Sequence, residues 1–203
     1  MRLYHSPTTP FGRKVMVLLL ETGQAGDVEV VQAGGTPLDP GNLPLGDNPL
    51  GKIPALIPDD GPAIYDSPVI CRYLDARAGA SLYPEAPRLW RTLTLEATAD
   101  GILDAALLMV YEARLRPEDK RFPGWVEGQW GKIARALDAL EARWMDHLGG
   151  PLDMGQIALA CALGYLDFRH GARNWRAGHP GLADWYAGFA ARDSMRATEP
   201  PAA

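Results

Sequence analysis

"RLYHSPTTPFGRKVMVLLLETGQAGDVEVVQA", residues 2–33, decides how the rest of the chain is read. Residues 2–5 have the length of a short strand, and RKVMVLLLET, from Arg13, carries the wide apolar face of a helix. Gly23 stands where a C-terminal stop is expected, because glycine enters the left-handed conformation without a Cβ clash. DVEVVQA, from Asp27, is short and β-branched, which suits a second strand parallel to the first across that helix. These segments make a β-α-β unit.

Beyond it, residues 34–49 are rich in Gly, Pro, Asp and Asn and read as an irregular connection. KIPALIPDDGPAIYD, residues 52–66, then offers two short strands, about Ile53–Ile57 and Ala63–Tyr65, turned by Asp59, Asp60 and Gly61. Ser67 followed by Pro68 reads as a helix start, since a serine hydroxyl can satisfy open amides and proline at the first position sacrifices no hydrogen bond. That helix is expected to reach Ala78 and stop at Gly79. SLYPEAP, residues 81–87, is the expected linker, dividing the chain into an α/β domain at 1–80 and an all-helical domain at 85–203.

The remainder carries helical periodicity throughout. Leu89–Leu115 reads as one long helix, and Trp130, Ile133, Leu137, Leu140, Trp144 and Leu148 fall at three- and four-residue spacing along another. A third opens at Asp153 with Gln156 three residues on, the spacing of a capping box. A fourth runs from about Leu182 to Ala191, ahead of a frayed tail, TEPPAA, at 198–203.

Composition narrows the function classes. The chain has 203 residues, is 47% hydrophobic and carries a formal net charge of −5, with no run of Lys or Arg to meet a nucleic acid or an anionic membrane. The uncharged stretch IALACALGYL, residues 157–166, is half the length of a membrane span, and VMVLLL, residues 15–20, is shorter than a signal-peptide core. A cytoplasmic protein is expected. Cys71 and Cys161 both sit in apolar helical patterns, as buried thiols would. His5, His147, His170 and His179 show no ligand spacing, so no metal is expected.

Three motifs in order sharpen the reading: TTPFGRKV after the first strand, NPLGKIPAL before the third, and YDSPVICRYL opening the second helix. Together with the all-helical remainder, including IALACALGYLDFR, they resemble the cytosolic glutathione S-transferase family over essentially the whole chain. The resemblance implies a thioredoxin-like α/β N-terminal domain, an all-α C-terminal domain, a homodimer, and glutathione as co-substrate for detoxifying attack on a small hydrophobic electrophile. A non-catalytic glutathione S-transferase-fold binding or interaction protein is the alternative.

Residue by residue, the resemblance aligns Thr9 with the Ser or Cys of that family, as the donor to the glutathione sulfur; Ser6 and Thr8 are nearby competitors. A second role is open to Thr9, since its hydroxyl could instead cap the following helix. Lacking a cysteine there, the chain cannot run dithiol exchange at that position. The same resemblance makes Pro54 a cis-proline that presents the Ile53 backbone to the cysteinyl part of glutathione. Lys52 becomes a cation for the glycyl carboxylate, or else a solvated surface lysine. Asp66 and Ser67 receive the γ-glutamyl amino and carboxylate groups, or else form an ordinary helix cap. An electrophile pocket between the domains, lined by Phe11, Leu108, Tyr111 and Arg114, completes the set. At the opening of the third C-terminal-domain helix, Asp153 and Gln156 replace the family's Ser or Thr and Asp.

Overall fold

The computed structural model of the chain describes residues 1–201. The end of the expected frayed tail, residues 202 and 203, lies outside the described residues. Contacts divide the chain into two compact units, Met1–Leu89 together with the residues from Asp193 onward, and Trp90–Arg192.

In the first unit the β-α-β reading holds. Strand β1 (Arg2–His5) pairs in parallel with β2 (Glu29–Gln32), Leu3 opposite Val30, across helix α1 (Pro10–Glu21). Strand β3 (Ala55–Ile57) pairs antiparallel on the other side of β1, giving the order β2-β1-β3. The helix starts at Pro10, three residues before the apolar run, because proline's fixed φ and missing N–H suit the first turn. Val15, Val17, Leu18 and Leu19 of α1 are fully buried. Helix α2 (Ser67–Ala78) packs on α1 and on β3.

The expected fourth strand, Ala63–Tyr65, is reduced to a single antiparallel bridge between Leu56 and Ile64. Pro58 and Pro62 bracket the turn and withhold two ladder donors, and α2 begins too soon after Tyr65 for the pairing to extend. Gly79 ends α2 at φ 62°, as its sequence position predicts.

The linker stays with the first unit rather than separating the two. Asp75, buried on α2, accepts hydrogen bonds from Leu82 N at 2.8 Å and Tyr83 N at 3.1 Å and so ties residues 81–83 back to the helix. The division therefore falls at Leu89, past the expected 80–85.

The second unit is all helical among its described residues: α3 (Arg88–Leu115), whose first two residues belong to the first unit, α4 (Pro123–Arg143), α5 (Met145–Leu148), α6 (Met154–His170) and α7 (Pro180–Ala190). The periodic stretch expected to run to Leu148 breaks at Trp144 into α4 and α5. Helix α6 is buried from Met154 through Leu166 and forms the unit's core. Gly155 lets it approach α3: a Cβ there would lie 2.8 Å from the Thr92 carbonyl oxygen. The capping box is complete, with Gln156 N donating to Asp153 Oδ1 and Asp153 N donating to Gln156 Oε1, each at 3.1 Å. Glu112 of α3 accepts from Phe122 N at 2.9 Å and from Arg116 Nε at 2.8 Å, fixing the turn into α4.

Helix α8 (Asp193–Ala197) returns to the first unit and packs on α1. It lies in a stretch that the sequence leaves between the last helix and the tail. Cys71 and Cys161 are both buried thiols, and neither is part of a disulfide.

Candidate functional site

Strand register brings the three N-terminal motifs together. Tyr4 lies opposite Ala55, so the chain leaving β1 at His5 and Ser6 runs beside the chain entering β3 at Ile53 and Pro54. The bridge from Leu56 to Ile64 then carries residues 65–67 back toward the same end of the sheet. The N-termini of α1 and α2 thus open near one edge, each with amides that no helical carbonyl can reach.

Thr9 is the N-cap residue of α1 by position, with φ −87° and ψ 121°, yet its side chain makes no capping hydrogen bond. Its backbone N donates to Ser6 O at 3.0 Å and its carbonyl accepts from Arg13 N at 3.1 Å, so the main chain is held and the hydroxyl is uncommitted. The methyl is the part of Thr9 turned toward Gly12: a Cβ on that glycine would lie 2.7 Å from Thr9 Cγ2. Ser6 and Thr8, by contrast, engage each other, Oγ to Oγ1 at 3.3 Å.

The Ile53–Pro54 peptide bond is cis, and Pro54 is buried. Among the described residues Ile53 makes no main-chain hydrogen bond, which leaves its N–H and C=O unpaired there. The exposed Lys52 has no carboxylate partner among the described residues, while its carbonyl accepts from Asn48 Nδ2 at 2.9 Å. Helix α2 begins one residue earlier than the serine cap reading requires, with Asp66 at the N-cap position and Ser67 as its first residue. Asp66 makes no side-chain cap bond, so the first turn is left open. The Asp66 side is exposed and Ser67 is buried to 1%.

Phe11 is half-buried on α1 in the first unit. In the second unit α3 carries Leu108, 41% exposed, Tyr111, half-buried, and Arg114, exposed.

Two participants escape the sequence reading. His5, at the end of β1, is buried against Gly12 with its Nδ1 unpartnered, and burial pushes its imidazole down to about 4, so the ring is neutral at physiological pH. Only its position at the end of an apolar strand signals this. Arg13 is also buried. Its Nη2 donates to Met195 O at 3.0 Å and its Nε to Thr198 Oγ1 at 3.3 Å, which clamps α8 to the helix that carries Thr9. No local pattern announces a contact spanning more than 180 residues of sequence.

No group of three or more His, Cys, Asp and Glu side chains forms a metal-binding cluster among the described residues. No described helix is long and apolar enough to cross a membrane.

Comparison with known proteins places this geometry. Residues 8–77 match the model of the glutathione S-transferase N-terminal domain, and residues 123–188 match that of the C-terminal domain. A GST-like protein of Escherichia coli K12, YibF, is 36% identical over 207 residues, covering 100% of both chains. A crystal structure of a glutathione transferase family member from Pseudomonas fluorescens Pf-5 with bound glutathione superposes with a TM-score of 0.96 at 49% identity, over 98% of each chain. A family member from that organism has also been solved with S-(propanoic acid)-glutathione, at a TM-score of 0.92 and 48% identity, over 99% of this chain and 100% of that one. A glutathione S-transferase from Methylobacillus flagellatus KT with glutathione bound gives a TM-score of 0.88 at 35% identity, over 98% of this chain and 99% of the other.

Proposed function

The chain belongs to the glutathione S-transferase family, and we propose that it activates the glutathione thiol for attack on a small hydrophobic electrophile, with Thr9 donating to the sulfur. The observation that carries this reading is the Thr9 hydroxyl, held at a helix N-terminus without a hydrogen-bond partner among the described residues.

The energetics suffice. A thiol with pKa near 8.5 is only a few per cent ionised at neutral pH, and lowering it by about two units requires roughly 2.7 kcal/mol in favour of the thiolate. A hydrogen bond to a charged group contributes about 1.5–3 kcal/mol, and a helix N-terminus adds up to about 1–2. Thr9 keeps its own proton throughout. The thiol proton leaves to solvent, the sulfur lone pair forms the C–S bond, and the leaving group departs with its electron pair.

The rest of the site supports binding of the tripeptide. The unpaired Ile53 N–H and C=O suit antiparallel pairing with the cysteinyl residue. Lys52, without a counter-ion, suits the glycyl carboxylate, and the open first turn of α2 at Ser67 suits the γ-glutamyl carboxylate, with Asp66 on the amino group. Phe11 on α1 and, on α3, Leu108, Tyr111 and Arg114 are the side chains proposed for contact with the electrophile. The protein works in the cytoplasm as a homodimer, and light scattering at micromolar concentration that returns the mass of one chain would remove the dimer.

Glutathione titration by calorimetry, with the ultraviolet thiolate absorbance of the complex followed against pH, tests the reading. Saturable binding is expected, with a bound thiol pKa well below that of free glutathione in the wild type and an unshifted one in Thr9→Ala, which still binds. Binding with an unshifted thiol in the wild type would instead support the non-catalytic binding protein. Absence of binding would overturn both.

A further inference from the structure

A threonine at the N-cap position of a helix has two uses for its hydroxyl: accepting from an amide of the first turn, or facing away from it. Pro10 is the first residue of α1, so the third-residue amide that a capping hydroxyl takes belongs to Gly12. Thr9 makes no such bond. Its main chain is fixed on both sides, N donating to Ser6 O at 3.0 Å and the carbonyl accepting from Arg13 N at 3.1 Å, so the direction of the hydroxyl comes down to one rotation, χ1.

The space over Gly12 is already filled. A Cβ on that glycine would lie 2.2 Å from His5 Nδ1, 3.0 Å from His5 Cε1 and 2.7 Å from Thr9 Cγ2. The imidazole edge and the threonine methyl are therefore neighbours above one α-carbon, in space that a side chain at position 12 would take from both. His5 is 9% exposed, and its Nδ1 is buried with no hydrogen-bond partner among the described residues, so the ring meets the methyl by packing. The staggered wells of χ1 lie about 120° apart, and a turn that brought the hydroxyl to the Gly12 amide would carry the methyl out of this contact. An uncapped helix and an orphaned imidazole nitrogen both cost stability, and both flank the one hydroxyl that is left free. Costs of that kind in a native protein ask for a functional reason. Burial pushes the imidazole down to about 4, so the neutral ring lends no charge to a bound sulfur, and its influence passes through the direction of the Thr9 hydroxyl.

We propose that His5 is a positioning residue: its ring, wedged against Gly12, holds the Thr9 methyl over the first turn of α1 and so keeps the hydroxyl turned out toward the glutathione sulfur. This rests on the reading of Thr9 as the donor to that sulfur. Without the wedge the hydroxyl turns inward, caps α1 and is lost to the thiol.

Two apolar replacements isolate the wedge from the ring nitrogens. His5→Val lacks the δ atoms that meet Gly12, and His5→Leu restores them. With glutathione bound, thiolate absorbance followed against pH is expected to give His5→Leu a thiol pKa like that of the wild type, and His5→Val one raised by about one unit, which is tenfold less thiolate on the acid side. Three-bond couplings to the Thr9 methyl carbon, measured without ligand, should show one χ1 rotamer in the wild type and in His5→Leu and a second in His5→Val. A wild-type thiol pKa or unchanged couplings in His5→Val would overturn the proposal and leave Thr9 as the donor. A thiol pKa raised equally in both variants would also overturn it, since a ring nitrogen rather than the shape of the side chain would be acting. An unshifted thiol in the wild type, or no binding of glutathione at all, would overturn the reading of Thr9 and this proposal with it.

Discussion

The imidazole of His5 lies against the backbone of Gly12, its Nδ1 occupying the space that a side chain at that position would need. The last residue of β1 is thereby packed into the first turn of α1, and Thr9 closes the gap with its methyl, 2.7 Å from where a Gly12 Cβ would stand. One glycine thus sets how the strand and the helix flank the candidate donor.

Gly12→Ala is expected to destabilise the protein. Helix propensity favours alanine by about 1 kcal/mol, but the new methyl overlaps a buried ring and a β-branched side chain, an overpacking cost of about 1–3 kcal/mol. The second effect should win, and a double substitution with His5→Ala should recover part of the loss. Urea midpoints for the wild type and the two variants decide it; a Gly12→Ala midpoint at or above that of the wild type sinks the argument.

The buried His5 gives stability a specific pH dependence. In the unfolded chain the imidazole takes a proton near 6.5, whereas in the folded protein burial delays this to about 4. Between those values the unfolded state binds more protons, so stability rises with pH there and falls as the medium is acidified, by on the order of 3 kcal/mol in all. His5→Leu should show a shallower loss between pH 6.5 and pH 4 in denaturant titrations. Parallel profiles for the two proteins would count against a buried neutral histidine.

Asp153→Ala should cost more than an ordinary helix cap. Beyond the capping bond, Asp153 Oδ2 accepts from Thr92 Oγ1 at 2.9 Å in a fully buried setting, and His147 Nε2 approaches it to 2.9 Å off the line of a hydrogen bond. A cap alone contributes about 1 kcal/mol, and stranding buried donors adds about 1–3. Thermal and urea unfolding should place the loss above that of a cap alone. A loss of a few tenths would show that the network relaxes freely.

Removing the Arg13 clamp should release α8 before anything else unfolds. Arg13→Gln deletes donors to Met195 O and Thr198 Oγ1, while the Ser194 hydroxyl bond to Glu21 remains. Amide hydrogen exchange over residues 194–199 is expected to accelerate by roughly tenfold or more, corresponding to about 1.4 kcal/mol or more of local stability. Unchanged exchange in that segment would remove Arg13 from this role.

Much of the fold was legible because its signals are local. Gly79 and the Asp153–Gln156 pair each act through φ preferences or hydrogen bonds within one turn, so their neighbours in sequence are their partners in space. The three N-terminal motifs were readable for a similar reason, since each sits at the start of a strand or helix whose type the apolar pattern dictates. The cap reading of Ser67 failed by a single residue, which is enough to move a hydroxyl from the N-cap position into the first turn.

What the sequence by itself determined is the succession of helices and strands, the residue types presented at the sheet edge, and the absence of a cysteine at the position of Thr9. The tertiary structure alone decided that the fourth strand shrinks to the Leu56–Ile64 bridge, that α8 returns to α1 through Arg13, and that His5 is buried with its Nδ1 unpartnered among the described residues. Backbone preference and periodicity depend on neighbours within a few residues, whereas burial, charge compensation and ladder pairing depend on which distant segments meet, a quantity set by the packing of the whole unit.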